Sequence, residues 1–362
     1  MTDFMTKNKE KLEQFAAMSQ AAGGRSDYVQ GGGGNTSVKL ADGLMAIKAS
    51  GYCLSDIRPN KAYAVLDYEA LRRFYYGNEP AQLADVEKLG SACAKENTKL
   101  IEGMDALRPS VEAGFHSILK TFVCHTHSVY ANLAACSTAC CEIAEKAFNG
   151  ADYTWGWVPY TDPGANLTFA IRDELRRVGE KTGKVPSVIL MQNHGIIVHD
   201  DDAERCLAIH ADANERLAQQ FGIHGDSFPA ISVRQTGEEL YEADTPYLRE
   251  ALKNCRYDYK TFIETPLYPD QMVFLIGTFF MDKEGTPAEG ECYADTKTGA
   301  LVLHMGEKKA KTITETLTAV IFIMDTVTKM GYTVSTMGEA AKSFIANWES
   351  EKYRKSLAGK KG

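Results

Sequence analysis

Two periods organise the apolar positions of the chain. Period two marks strands. Residues 37–40 and 44–50 read as a pair of short strands around Ala41-Asp42-Gly43, and Asp-Gly is a strong hairpin signal. Residues 62–67 continue as a strand, and a helix begins over 68–75. Residues 122–127 alternate and predict another strand. The apolar run 186–191, resumed at 196–198, predicts two more. Period 3.6 marks helices. The clearest spans 200–221, with Ala203, Cys206, Leu207, Ile209, His210, Ala213 and Leu217 on one stripe. Others are predicted over 5–22, from Pro109 through Leu119, over the Ala-rich stretch 128–147, over 308–330 and over 339–357. Residues 269–280 and 301–304 read as strands of a second unit. A first domain is therefore expected over 1–222, followed by a connecting region and a C-terminal α+β extension over 223–362.

Composition narrows the class. The 362 residues are 44% apolar and 24% charged, which is ordinary for a globular protein and excludes collagen-like, mucin-like and disordered classes. Net charge is -8, so the chain has no broad basic field for nucleic acid or anionic lipid, and neither is expected as a partner. The apolar stretches are too short for a bilayer, which needs about 20 residues. Met1-Thr2-Asp3-Phe4 lacks the basic start and apolar run of a secretory leader. Nine cysteines, odd in number and without a C-x-x-C framework, read as reduced, mostly buried thiols and point to the cytoplasm. No internal repeat is evident.

Three histidines carry the first chemical signal. His125 and His127 stand at i and i+2 on a predicted strand, so both imidazoles face one side. His194 ends another strand, just before Gly195. Three imidazoles with an open fourth position make a catalytic zinc pattern. Glu112, at a predicted helix start, is the candidate acid/base; a carboxylate near a metal can also coordinate it. His116 lies four residues on, where it either touches the site or makes a core hydrogen bond. His199, His210, His224 and His304 read as surface or packing residues. The run Gly31-Gly32-Gly33-Gly34 with Asn35, plus Ser50-Gly51 and Ser110, could build an anion pocket from backbone amides, an amide side chain and hydroxyls, or could simply be surface turn. Nucleotide motifs fit poorly. Gly179-x-x-x-Gly183-Lys184 is one residue short of a P-loop and is followed by Val185, and no G-x-G-x-x-G opens a dinucleotide site.

Taken in order, Gly34-Asn35-x-Ser37, Ser50-Gly51, Pro109-Ser110-x-Glu112, His125-x-His127 and Asn193-His194-Gly195 resemble the class II aldolase/adducin family over roughly residues 8–222. The resemblance implies an α/β/α sandwich around a mainly antiparallel central sheet, a divalent metal (usually zinc) on three histidines, and often a C4 homotetramer with active sites at subunit borders. Matched residue by residue, it makes His125, His127 and His194 the metal ligands, Glu112 the acid/base, and Asn35, Ser50, Gly51 and Ser110 the loop that holds a substrate phosphate. Val111 stands where some phosphate-binding members carry a second serine, which removes one hydroxyl donor. No residue among the seventeen tyrosines matches the proton donor that a neighbouring subunit supplies in some aldolases.

Val158-Pro159-Tyr160-Thr161-Asp162-Pro163-Gly164, Pro269-Asp270-Gln271, Gly306-Glu307-Lys308-Lys309-Ala310 and the segment Ser343 through Glu349 are similar to the aldolase part of bifunctional rhamnulose-1-phosphate aldolase/short-chain dehydrogenase proteins. The chain ends without a dehydrogenase segment, so no NAD chemistry is expected. The activity implied is cleavage of a phosphorylated ketose of rhamnulose-1-phosphate or fuculose-1-phosphate type, through a zinc-stabilised enediolate. The same triad serves sugar-phosphate 4-epimerases, dehydratases and decarboxylases of the superfamily, and an adducin-like scaffold keeps the fold without the chemistry. Both stand as alternatives to the aldolase.

Overall fold

The computed structural model describes residues 3–347. Eight strands build the larger sheet: β1 (Asn35–Lys39), β2 (Leu44–Lys48), β3 (Tyr63–Asp67), β4 (Thr98–Lys99), β5 (Phe122–Thr126), β6 (Trp155–Val158), β7 (Val188–Met191) and β8 (Gly195–Asp200). Their order is β4-β3-β2-β1-β5-β8-β7-β6. All neighbours are antiparallel except β6 and β7. The β1–β2 turn uses the Asp-Gly signal as its chemistry dictates: Asp42 and Gly43 both take positive φ, 61° and 69°.

Alternation along the strands feeds two apolar layers. Val38, Ala46, Cys124, Leu190 and Val198 enter one, with the helices Lys9–Gly23, Val129–Ala135 and Ala203–Gln220 over them. Met45, Ile47, Val123, Ile189 and Ile197 enter the other, under the helices Tyr68–Gly77, Ala113–Ile118 and Ala165–Thr182. A sheet buried on both faces needs apolar residues at successive positions, which is why 188–191 reads as an unbroken apolar run. The expected sandwich around a mainly antiparallel sheet is thus present.

A second sheet follows: β9 (Val233–Gly237), β10 (Leu240–Ala243), β11 (Phe279–Met281), β12 (Cys292–Ala294) and β13 (Leu301–His304), in the order β11-β12-β13-β10-β9. The helix Glu307–Lys329 lies between this sheet and the first layer, with Ile313, Leu317, Val320, Ile321 and Met324 buried as their spacing predicts. Its buried threonines are not orphaned. Thr314 and Thr318 return their hydroxyls to the carbonyls of Ala310 and Thr314, at 2.9 and 2.7 Å. One continuous apolar cluster runs from Leu12 through Phe221 and Phe228 to Val327.

Three readings need correction or closer bounds. Residues 269–280 are not one strand. Pro269–Leu275 is a helix, and only Phe279–Met281 pairs in a sheet. Proline at the first helical position suits a helix start, and the Gln271 side chain accepts from the Leu267 N–H at 2.8 Å, closing that end. A short apolar run of about a dozen residues gives too few repeats for a period to separate the two states. The stretch 128–147 is two helices, Val129–Ala135 and Cys140–Ala147. Between them the backbone bonds to a distant segment: Ser335 N–H donates to Cys136 O at 2.7 Å, and Thr138 N–H to Thr333 O at 3.0 Å. The closing helix is seen over Glu339–Asn347, and the rest of 339–357 lies outside the described residues.

Arg172 ties the second layer together. Its buried guanidinium donates to the Tyr75 and Asn78 carbonyls, both at 2.8 Å, where the helix Tyr68–Gly77 ends, and to Glu79. Those carbonyls have no partner within their own helix. Arg172→Ala is expected to lower stability by about 2–4 kcal/mol, from two orphaned acceptors and a void. The urea midpoint of the variant measures it, and an unchanged midpoint would contradict the role.

Candidate metal centre

The sheet register builds the site. Asn35 on β1 lies directly opposite His125 on β5, so the Gly34-Asn35 segment and the first histidine are brought together by strand pairing alone. His127 follows at the end of β5. His194 sits in the turn from β7 to β8, where Met191 pairs with Gly195. Gly195 has φ 157°, and a Cβ there would stand 2.3 Å from the Thr126 carbonyl oxygen; only glycine lets this turn close onto β5. Gly34 meets the same limit, with φ +63° and a Cβ position 2.5 Å from His125 O. Glu112 precedes the helix Ala113–Ile118, whose Phe115 ring packs edge-on against His125 at 5.6 Å.

His125, His127 and His194 are buried, and their ring centroids are 5.0 Å apart in all three pairs. One nitrogen from each lies within 4.8 Å of the others. Glu112 reaches in beside them, with Oε1 3.3 Å from His194 Nε2 and Oε2 3.7 Å from His125 Nε2. Asn35 Nδ2 donates to Glu112 Oε2 and, at 3.1 Å, to Ser110 Oγ. Ser110 Oγ also accepts the Glu112 N–H, at 3.3 Å.

The hydrogen bonds decide where the ring lone pairs point. The second nitrogen of His125, Nδ1, donates to the Ile196 carbonyl at 3.0 Å, which leaves Nε2 unprotonated in the neutral ring. His127 Nδ1 lies 2.6 Å from Asp270 Oδ2 and donates its proton to that carboxylate. The Nε2 atoms of His125 and His127 then face each other at 3.2 Å with no proton to share. Two lone pairs beside a carboxylate repel unless a cation lies among them.

The ionisation states agree with that picture. Burial drives the His125 imidazole down to about 3, so the ring is neutral at pH 7. Burial also pushes the Glu112 carboxyl up, whereas its contacts with the facing rings of His125, His194 and His127 pull it well below the usual carboxylate range. Glu112 Oε1 and Asn35 Oδ1 are buried without a hydrogen-bond partner, as expected where a ligand completes the set. The residues present therefore fit a divalent metal.

Residues 13–221 match the family of the class II aldolase and adducin N-terminal domain, more than half of the chain. The chain belongs to the class II aldolase/adducin family. Solved structures similar to this chain include the N-terminal class II aldolase domain of a conserved protein from Thermoplasma acidophilum. That match is 19% identical and covers 57% of this chain and 92% of that one, with a TM-score of 0.47. An aldolase II superfamily protein from Pseudomonas syringae is 14% identical over 61% of this chain and 76% of that one, with a TM-score of 0.42. L-fuculose 1-phosphate aldolase from Glaciozyma antarctica PI12 is 12% identical over 61% and 75%, with a TM-score of 0.39. A comparison with curated protein sequences returns no match.

The other residues singled out in the sequence separate into two groups. Asn35, Val111, Glu112, His127 and His194 line a cleft closed on its far side by Pro163 and by Pro269, Asp270, Val273 and Ile345 of the C-terminal part. Ser110 stands behind Asn35. Ser50 is held by backbone, its N–H donating to Arg108 O at 2.9 Å, and neither it nor the exposed Gly51 is on the cleft wall. The glycine run is in part already engaged: Gly31 N–H donates to Glu315 Oε2 at 3.0 Å.

His116 is a core residue, stacked on Phe115 and bonded through Nδ1 to Ser37 Oγ at 2.7 Å. His199 and His210 are buried and hydrogen-bonded, and His224 is exposed against Glu215. All nine cysteines are free thiols. No helix among the described residues is long and apolar enough to cross a membrane. Sequence reasoning missed Asp270, which it placed in a strand of a separate unit. The acid-bearing Pro269-Asp270-Gln271 motif was visible, but nothing local ties it to His127.

Proposed function

We propose that this class II aldolase/adducin family member is a metal-dependent carbon–carbon lyase. It would cleave a phosphorylated ketose, of rhamnulose-1-phosphate or fuculose-1-phosphate type, between C3 and C4. The observation that carries the reading is the convergence of three neutral-capable imidazoles within 4.8 Å, with the Glu112 carboxylate 3.3 Å from one of them. His125, His127 and His194 would hold the divalent cation, zinc first. When bound, that cation supplies Lewis acidity, stabilising negative charge on the substrate oxygens as the carbon–carbon bond breaks. Glu112 then moves the proton at the carbon left electron-rich. Its hydrogen bond from Asn35 fixes the carboxylate and leaves Oε1 free to take or give that proton. Asn35, with Ser110 behind it, is the candidate for the substrate's phosphate end; the Ser50-Gly51 turn would join it only for a substrate that extends beyond the cleft wall. The same reading makes the protein a cytoplasmic homotetramer in which residues 1–222 carry the chemistry.

A product assay on L-rhamnulose 1-phosphate, L-fuculose 1-phosphate and L-ribulose 5-phosphate tests this with metal-loaded protein. Release of dihydroxyacetone phosphate and an aldehyde from either of the first two is the expected result. An epimerised, dehydrated or decarboxylated product would replace lyase with one of the sister reactions. Bound metal without turnover of any of the three would sink the substrate assignment.

A further inference from the structure

The segment after residue 222 reaches the metal centre at two points, and both converge on the short stretch from Leu267 to Asp270. First, the Asp270 carboxylate is buried and takes the Nδ1 proton of His127 at 2.6 Å. Second, Asn193, next to His194, is clasped by the same stretch. Its Nδ2 donates to Leu267 O and to Ser335 O, both at 2.8 Å, and its Oδ1 accepts from Ser335 Oγ at 3.1 Å. Asn193 has φ 51°, in the left-handed region that asparagine enters more readily than other side-chain-bearing residues. The His125 ring, by contrast, takes its Nδ1 bond from within the larger sheet, from Ile196 O.

We propose that Asp270 is a positioning residue of the metal centre, and that the C-terminal part completes the site rather than trailing from it. The proposal rests on the metal-site reading above and gives residues beyond 222 a role in it. A neutral imidazole exists as two tautomers, and only the form protonated at Nδ1 presents a lone pair at Nε2. Asp270 selects that form in His127 and fixes the plane of the ring. A carboxylate partner also makes the opposite nitrogen more basic, so it binds a cation more tightly. The stretch itself is stiffly held. Gln271 bonds to Leu267 N and Phe262 O, and Tyr268 reaches Gln30 beside the glycine run.

One glycine of the run has its explanation here. A Cβ at Gly33 would stand 2.4 Å from Asp270 Oδ2 and 3.0 Å from His127 Nδ1. Position 33 must lack a side chain so that the carboxylate can seat on the ring. A Gly33→Ala variant therefore disturbs the same contact while leaving both partners chemically intact.

The experiment uses Co2+ as the probe, on full-length wild type, Asp270→Asn, Asp270→Ala and Gly33→Ala. It reads dissociation constants by chelator competition, the visible ligand-field spectrum at saturation, and melting of the metal-free proteins. Wild type is expected to bind with a low-symmetry spectrum. Asp270→Asn should bind about 10-fold more weakly and Asp270→Ala up to about 100-fold, with a displaced spectrum. Gly33→Ala should shift both readouts the same way. Unchanged affinity in the Asp270 variants overturns the proposal and leaves the proposed function standing. Weaker binding with an unchanged saturated spectrum assigns Asp270 to packing alone and equally overturns it. Absence of Co2+ binding by wild type overturns the metal-site reading, and this inference with it.

Discussion

Glu112→Gln is expected to keep its metal and lose turnover by about 10²–10⁴-fold, the usual contribution of a positioned acid/base group. The two outcomes separate because the variant is nearly isosteric. Three imidazoles still converge on the cation, whereas the amide can neither accept nor return a proton at the reacting carbon. Glu112 is buried, so solvent does not readily substitute for it. Elemental analysis and kcat on the same preparation check both halves. Cleavage near the wild-type rate would remove Glu112 from the chemistry. Loss of metal together with rate would instead make it a ligand.

His125→Ala is expected to reduce metal content from about one ion per chain to background and to abolish cleavage, since two imidazoles seldom retain zinc without a third protein ligand. This histidine is the most deeply set of the three, fully buried on β5 with its Nδ1 proton on Ile196 O. Deleting the ring removes a hydrogen bond to that carbonyl and opens a void against Phe115, which adds about 1–3 kcal/mol of destabilisation. His194→Ala, in a turn rather than a strand, removes the same kind of ligand without touching a side-chain bond to the sheet. Comparing the two separates loss of metal from loss of fold. Full metal occupancy in His125→Ala would refute the ligand set. Treating wild type with a chelator should reproduce the loss of activity, and Zn2+ should restore it.

The legibility of the site follows from where each contact is made. His125 and His127 could be placed on one face because strand geometry repeats every two residues, and Asn35 joined them through antiparallel pairing of neighbouring strands. Glu112 and His194 were legible as helix-start and strand-end residues whose order along the chain matched a known family. Asp270 was not. It lies 143 residues from His127, and an acid after a proline has no local property that marks it as a ring's partner. The 128–147 stretch shows the same limit in the core. Its composition favours one helix, and the interruption comes from hydrogen bonds offered by residues 333–335.

By itself, the order of residues determined the strands and helices whose burial repeats at 2 or 3.6 positions, the Asp42-Gly43 turn, and the identity of the three imidazoles and the carboxylate. Those are consequences of backbone geometry and side-chain chemistry acting over a few residues. Only the tertiary structure decided which protons the imidazoles carry, why Gly33 and Gly195 can have no side chain, and that Asp270 and Leu267 grip the centre from the C-terminal part. Each of these depends on atoms brought within hydrogen-bond or van der Waals range from far along the chain, and such proximity leaves no period in the sequence.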